Sequence, residues 1–208
     1  MSELRWIQIS SAGYSQLFEL GLPERGVRAS NARGVFDVPI VEWNIAMMIN
    51  LARDLRGMIR NQERGAWDRD KRFQHEIRGS VVGIWGYGGI SRETARLAKA
   101  MGLKVHALTR GGVKPRTNVY CVPGTGDPEG TLPDRVFPME QKEEFLRGLD
   151  FLILAMPETN KTMGSVGEQE LRALPKHASV LIFVQNVERL RDGRPLLNEL
   201  TAAQLRGE

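Results

Sequence analysis

Residues 81–110 read VVGIWGYGGISRETARLAKAMGLKVHALTR, and no other stretch restricts the folding of this chain so tightly. Val81, Val82, Ile84 and Trp85 form an apolar, β-prone run that enters Gly86-Tyr87-Gly88-Gly89-Ile90-Ser91. A helix of small residues follows as far as Gly102, and a second β-prone run, Leu103, Val105, Ala107 and Leu108, ends at Thr109-Arg110. Strand, glycine turn, helix and strand in this order predict a βαβ unit. Gly86 lets the chain turn sharply, and the missing side chain at Gly88 lets a pyrophosphate approach main-chain N–H groups at the helix N-terminus. The spacing is G-x-G-x-x-S, with Ser91 where a third glycine or alanine normally allows helix and strand to pack closely. Gly86, Gly88, Gly89, Ile90 and Ser91 are therefore the candidate phosphate contacts of a dinucleotide.

The end of the second strand, about 20 residues past the glycine turn, is where an acidic residue would bind the ribose of NAD and an arginine the 2′-phosphate of NADP. Thr109 and Arg110 stand there, with Lys114 and Arg116 close behind. NADP is favoured on this ground, and NAD is the alternative. For Lys114 and Arg116 the competing explanation is a solvated basic loop.

The 208 residues suffice for a sizeable core, and 41% hydrophobic with 26% charged residues is the composition of a soluble globular chain. A net charge of +4 suits an anionic ligand, but no dense Lys/Arg run or basic-aromatic interleaving marks a nucleic-acid surface. Cys121 is the single cysteine, which excludes an internal disulfide framework and favours a reducing compartment. Neither a signal peptide nor a membrane span is legible, since the most apolar helix candidate carries Glu42, Asn44, Asn50, Arg53 and Asp54. The expected location is cytoplasmic.

Short strands are expected at Leu4–Ile9 and Val27–Ser30, around a Ser10-Ser11-Ala12-Gly13 turn. Pro39 suits the first turn of a long helix over 39–61, where Val41, Ile45, Met48, Ile49, Ala52, Leu55 and Ile59 recur at helical spacing. Its broad apolar surface predicts burial on more than one side, within a core or in a homodimer. Residues 111–140, rich in Gly and Pro, predict a long irregular segment, functional or mobile. Beyond it come a helix (Gln141–Arg147), a buried strand (Asp150–Ala155), a helix (Val166–Leu174), a strand (Val180–Val184) and a helix (Leu196–Leu205). The alternation predicts an α/β fold, a Rossmann-like doubly wound parallel sheet.

Other chemistries find no support. None of Tyr14, Tyr87 or Tyr120 begins a Tyr-x-x-x-Lys pair, no G-x-x-x-x-G-K-[ST] phosphate loop occurs, and Gly164-Ser165-Val166-Gly167 misses a G-x-S-x-G elbow by one residue. One cysteine and three scattered histidines give no zinc spacing, so no metal is expected.

Several blocks occur in a fixed order: LRWIQISSAG at 4–13, the VPIVEWNIAMMINLARDL helix, Gln62–Trp67, IRGSVVGIWGYGGISRETARLAKAMG, and LDFLILAMPETNKT at 149–162. The last contains a P-x-T-x-x-T pattern at Pro157, Thr159 and Thr162. Together they resemble the D-isomer-specific 2-hydroxyacid dehydrogenases, a family that includes glyoxylate/hydroxypyruvate reductases and phosphoglycerate dehydrogenases. The resemblance implies reversible hydride transfer between a nicotinamide and the C2 carbon of a 2-oxo acid. Such chemistry uses an arginine to hold the carboxylate and polarise the carbonyl, and a histidine, kept charged by a carboxylate, to donate the proton.

The resemblance also implies two lobes, with residues 1–36 a remnant of the substrate lobe and 37–208 an incomplete dinucleotide-binding domain. It adds Pro157 and Thr162 to the cofactor contacts and Ser11, Ala12 and Gly13 to the substrate side. The chain begins at what resembles the last part of the substrate lobe and ends before the family's catalytic Glu and His, so impaired activity is expected. His75, His106 and His177 match no catalytic motif, and no general acid is assigned. For the arginine two alignments stay open: a three-residue insertion selects Arg189, the residue adopted, whereas the ungapped strand selects Asn186, which cannot form a charged fork. The rival reading is a cofactor-binding pseudoenzyme or interaction module without turnover.

Overall fold

The computed structural model describes residues 4–18, 20–68, 74–117, 119–156, 162 and 164–181. Two short strands, β1 (Trp6–Gln8) and β2 (Arg28–Ser30), form a small parallel sheet in the register Trp6↔Arg28. Both are shorter than expected from the sequence. After them the chain enters α1 (Asp37–Arg53), with Pro39 in its first turn, and then α2 (Leu55–Glu63).

The single helix expected over 39–61 is thus two helices. Asp54 adopts the left-handed conformation (φ 49, ψ 46), donates its N–H to Asn50 O to close α1, and accepts Gly57 N–H at 3.1 Å on its carboxylate to open α2. Aspartate tolerates that conformation better than most residues and is a strong N-cap, so one residue ends one helix and starts the next. Apolar periodicity runs through the break unchanged, which hid it.

The main sheet is parallel throughout: β3 (Val81–Trp85), β4 (Lys104–Leu108), β5 (Arg135–Phe137), β6 (Phe151–Leu154) and β7 (Ser179–Leu181), in the spatial order β5-β4-β3-β6-β7. In order of appearance this is 3-2-1-4-5, the doubly wound arrangement, and its direction reverses between β3 and β6. β5 lies inside the segment expected to be irregular; three residues carry too little alternation to be read as a strand. Helices α3 (Gly89–Ala100), α4 (Lys142–Arg147) and α5 (Glu168–Ala173) complete the described units.

Strand alternation divides the core in two. Val82, Ile84, Val105, Phe151 and Ile153 face Met48 and Ala52 of α1 and Ala95 and Ala98 of α3. Trp85, Leu108, Phe137 and Leu152 pack instead with Phe145, Leu146 and Leu149. Gly83 lies in the middle of β3 because a Cβ there would overlap the side chains of Leu149 and Phe145. Among the described residues no helix is long and apolar enough to cross a membrane.

Candidate active site at the glycine corner

Because all five strands run the same way, Trp85, Leu108 and Leu154 end side by side, and the glycine turn emerges at that carboxyl edge. In such sheets ligands bind outside this edge, where the strand order reverses. Gly86 has φ 93, a conformation that glycine adopts without strain. Its N–H donates to Leu108 O (2.9 Å), and a Cβ would press on Met156 N and Ala155 of the neighbouring strand end at 3.0–3.1 Å. Gly88 is the N-cap of α3 (φ −89, ψ −158), and a Cβ built on it meets nothing within 4 Å. The space beside Gly88 is open, whereas that beside Gly89 is filled by Asp37 and Arg116.

Ser91, at the position of the third glycine, is fully buried, and its hydroxyl donates to Gly86 O at 2.8 Å. The departure from the usual fingerprint thus ties helix to turn. Ile90 follows Gly89 in the first turn of α3, and its carbonyl accepts the hydroxyl of Thr94 (2.8 Å), which also receives Asn44 Nδ2 of α1 (3.3 Å).

The segment 111–132 wraps around this end of α3. Tyr87 donates its hydroxyl to Asp127 Oδ2 (2.8 Å), and the same carboxylate collects the N–H groups of Thr131 (3.0 Å) and Leu132 (3.1 Å). Burial raises the Tyr87 phenol far above its ordinary range, with the Asp127 hydrogen bond and charge adding to it. Arg92, its guanidinium carbon 5.1 Å from the Tyr87 ring centre, donates to the carbonyls of Asp127 and Lys114. Glu93 is 2% exposed; it receives Gly126 N–H at 2.5 Å and a two-bond fork from Arg96. Burial pushes the Glu93 carboxyl up, but the Arg96 hydrogen bond and the Gly126 N–H outweigh it and hold the group below its usual value.

Thr109 is buried at the end of β4 with its N–H on Phe137 O (3.0 Å), and Arg110 is exposed beyond it. Lys114 is exposed, whereas Arg116 is mostly buried, with its side chain 16% exposed and Nη1 3.9 Å from Asp37 Oδ2. The solvated-loop reading therefore fails for Arg116: its N–H donates to Pro128 O (2.8 Å), and that turn carries the side chain inward. The Asp37 carboxyl is raised by burial, with Arg116 opposing. No periodicity in the sequence could have shown this placement.

Near the start of the chain, Ser11 donates to Gly13 O (2.8 Å), and Ala12 O accepts Asn31 Nδ2 (2.7 Å), in an ordered turn after β1. Thr162 lies in a turn, its carbonyl bonded to Ser165 N–H (3.1 Å). Pro157, Asn186 and Arg189 lie outside the described residues. None of the three histidines lies in the glycine turn or in α3. His177 pairs with Asp150 (2.9 Å), which precedes β6 at the opposite edge of the sheet. His75 donates its N–H to Ala52 O ahead of β3. His106 sits within β4 against Phe137, lowered by burial and then by Arg135.

The chain is 26% identical over 206 residues to a putative 2-hydroxyacid dehydrogenase of Haemophilus influenzae, covering 96% of this chain and 57% of that protein. It is 26% identical over 190 residues to the glyoxylate reductase of Thermococcus gammatolerans, covering 87% and 52%. The crystal structure of a glycerate dehydrogenase related protein from Thermoplasma acidophilum superposes with a TM-score of 0.60 at 27% identity, over 85% of this chain and 55% of that one. The chain thus spans about half the length of these relatives. The sequence model of the D-isomer specific 2-hydroxyacid dehydrogenase NAD binding domain matches residues 45–189, which include the glycine corner and all five strands of the main sheet. By that match, which its doubly wound sheet accords with, the chain belongs to the D-isomer specific 2-hydroxyacid dehydrogenase family through its NAD binding domain.

Proposed function

We propose that the glycine corner binds the pyrophosphate of a nicotinamide dinucleotide, NADP in preference to NAD, in an oxidoreductase that interconverts 2-oxo and 2-hydroxy acids. The observation that carries this reading is the open space before Gly88 at the point where the sheet order reverses. The bound nicotinamide would supply or accept the hydride. Gly86, Gly88, Gly89, Ile90 and Ser91 would seat the phosphates on main-chain N–H groups, and Thr109 and Arg110 would meet the adenosine end. Pro157 and Thr162 would line the cofactor's other flank. Ser11, Ala12 and Gly13 would face the substrate, whose carboxylate Arg189, or Asn186 in the alternative alignment, would hold. Residues 1–36 would belong to a substrate lobe and 37–208 to the dinucleotide lobe. The exposed, free thiol of Cys121 fits a cytoplasmic location.

A second copy of the chain is the partner in this reading. The outer face of α1 and α2 exposes Ile40, Trp43, Leu51, Leu55, Met58 and Ile59, more apolar surface than a helix pair keeps in water without cause. Titration with NADPH and NADH tests the proposal: both should bind, NADPH more tightly, and Arg110→Asp should reverse the order. Equal affinities before and after that substitution would remove Arg110 from the site. Turnover of glyoxylate or hydroxypyruvate separates an oxidoreductase from a coenzyme-binding module without chemistry.

A further inference from the structure

We propose that Arg116, delivered from the irregular segment after β4, is a phosphate-gripping residue of the coenzyme site and acts on the pyrophosphate. The inference rests on the dinucleotide reading above. Gly89 is the first residue of α3, and a Cβ there would overlap Asp37 Oδ2 at 2.1 Å and Arg116 Nη1 at 2.5 Å, so glycine at this position makes room for both side chains, the cation among them being supplied by another segment. The guanidinium is poorly satisfied there. Its contact with Asp37 is 3.9 Å, too long for a hydrogen bond, and Nη2 is buried without a hydrogen-bond partner among the described residues.

A buried donor with no acceptor carries a desolvation cost that a ligand oxygen would remove. The charges of Arg33 and Arg92 both bear on Arg116, opposed by that of Asp37. An arginine fork over main-chain N–H groups suits the doubly charged bridge shared by NADH and NADPH. The placement against Gly89, not beyond β4 beside Arg110, assigns it to the pyrophosphate and not to the 2′-phosphate.

The test is calorimetric titration of the full chain and of Arg116→Gln with NADH, NADPH, ADP-ribose and adenosine. The substitution should weaken the first three by roughly tenfold, about 1.4 kcal/mol, leave their ratios unchanged, and leave adenosine unaffected. Unchanged ADP-ribose affinity would make Arg116 a structural partner of Asp37 only. Selective loss of NADPH would assign it to the 2′-phosphate; either result overturns the proposal. If wild-type protein binds none of the four ligands, the dinucleotide reading itself falls. Should Arg116→Gln not fold, Arg116→Lys keeps the charge and loses the fork; several-fold weaker ADP-ribose binding supports the proposal, and wild-type affinity overturns it.

Discussion

Gly86 and Gly88 are two residues apart and are glycine for different reasons. At Gly86 the reason is conformation: φ is 93, and an added Cβ would meet Met156 N at 3.0 Å. Gly86→Ala should therefore destabilise the fold by about 1–2 kcal/mol from the left-handed backbone alone, seen as a lower thermal midpoint without any ligand. At Gly88 the backbone is extended and a methyl group meets nothing within 4 Å. Gly88→Ala should leave the thermal midpoint of the free protein nearly unchanged and weaken NADPH and NADH alike, because the methyl group fills the phosphate's approach. A midpoint that falls as far as that of Gly86→Ala would make Gly88 structural. Both glycines were legible in the sequence, since a missing Cβ is a property of the residue itself. Arg116 was not, because its burial depends on the path of a segment that no periodicity governs.

At the scale of elements, the helix α3 was readable from its glycine start and small residues, whereas the break at Asp54 and the strand β5 were not. A break needs only one residue in a left-handed conformation, and three residues cannot establish a period of two. The wrapping of 111–132 around α3 explains two charged residues that the sequence alone would have placed in solvent, Arg92 and Glu93, both buried. Glu93 has a carboxyl held below its ordinary value by Arg96 and Gly126 against the cost of burial. A depressed carboxyl stabilises the fold above its unfolded pKa and loses that contribution as pH falls through the folded one. The clamp should thus hold at neutral pH and release only below about pH 4.3, the ordinary glutamate value. Hydrogen exchange of the Gly126 amide should accelerate there relative to the amides of β3. In Glu93→Gln the neutral side chain should leave Gly126 less protected at pH 7 and abolish the acid step; an acid step that persists would assign it to another carboxylate.

Across the whole molecule, the core faces of the sheet are filled while the outer face of α1 and α2 is not. α1 buries Val41, Asn44, Met48 and Ala52 at helical spacing against the α3 side, and α2 buries none of its residues. Broad apolar surface on this helix pair was apparent from the sequence; which side the chain itself would cover was not, because the break at Asp54 lets the second half leave the core. The sides left over, Ile40, Trp43 and Leu51 on α1 with Leu55, Met58 and Ile59 on α2, form a surface that a two-fold axis could set against its own copy, since such an interface uses the same patch twice. Aromatic anchors dominate interfaces of this kind, and Trp43, 46% exposed, is the natural one. The protein should sediment at close to twice its 23.3 kDa. Trp43→Glu combined with Ile59→Glu should shift it to the monomer mass with an unchanged far-ultraviolet spectrum, because neither side chain is buried in the fold of one chain. Coenzyme binding should survive in that monomer, as Gly86, Gly88, Thr109 and Arg116 all belong to one chain. Wild-type protein that sediments as a monomer throughout a concentration series would remove the second copy from the proposal and leave the glycine corner untouched.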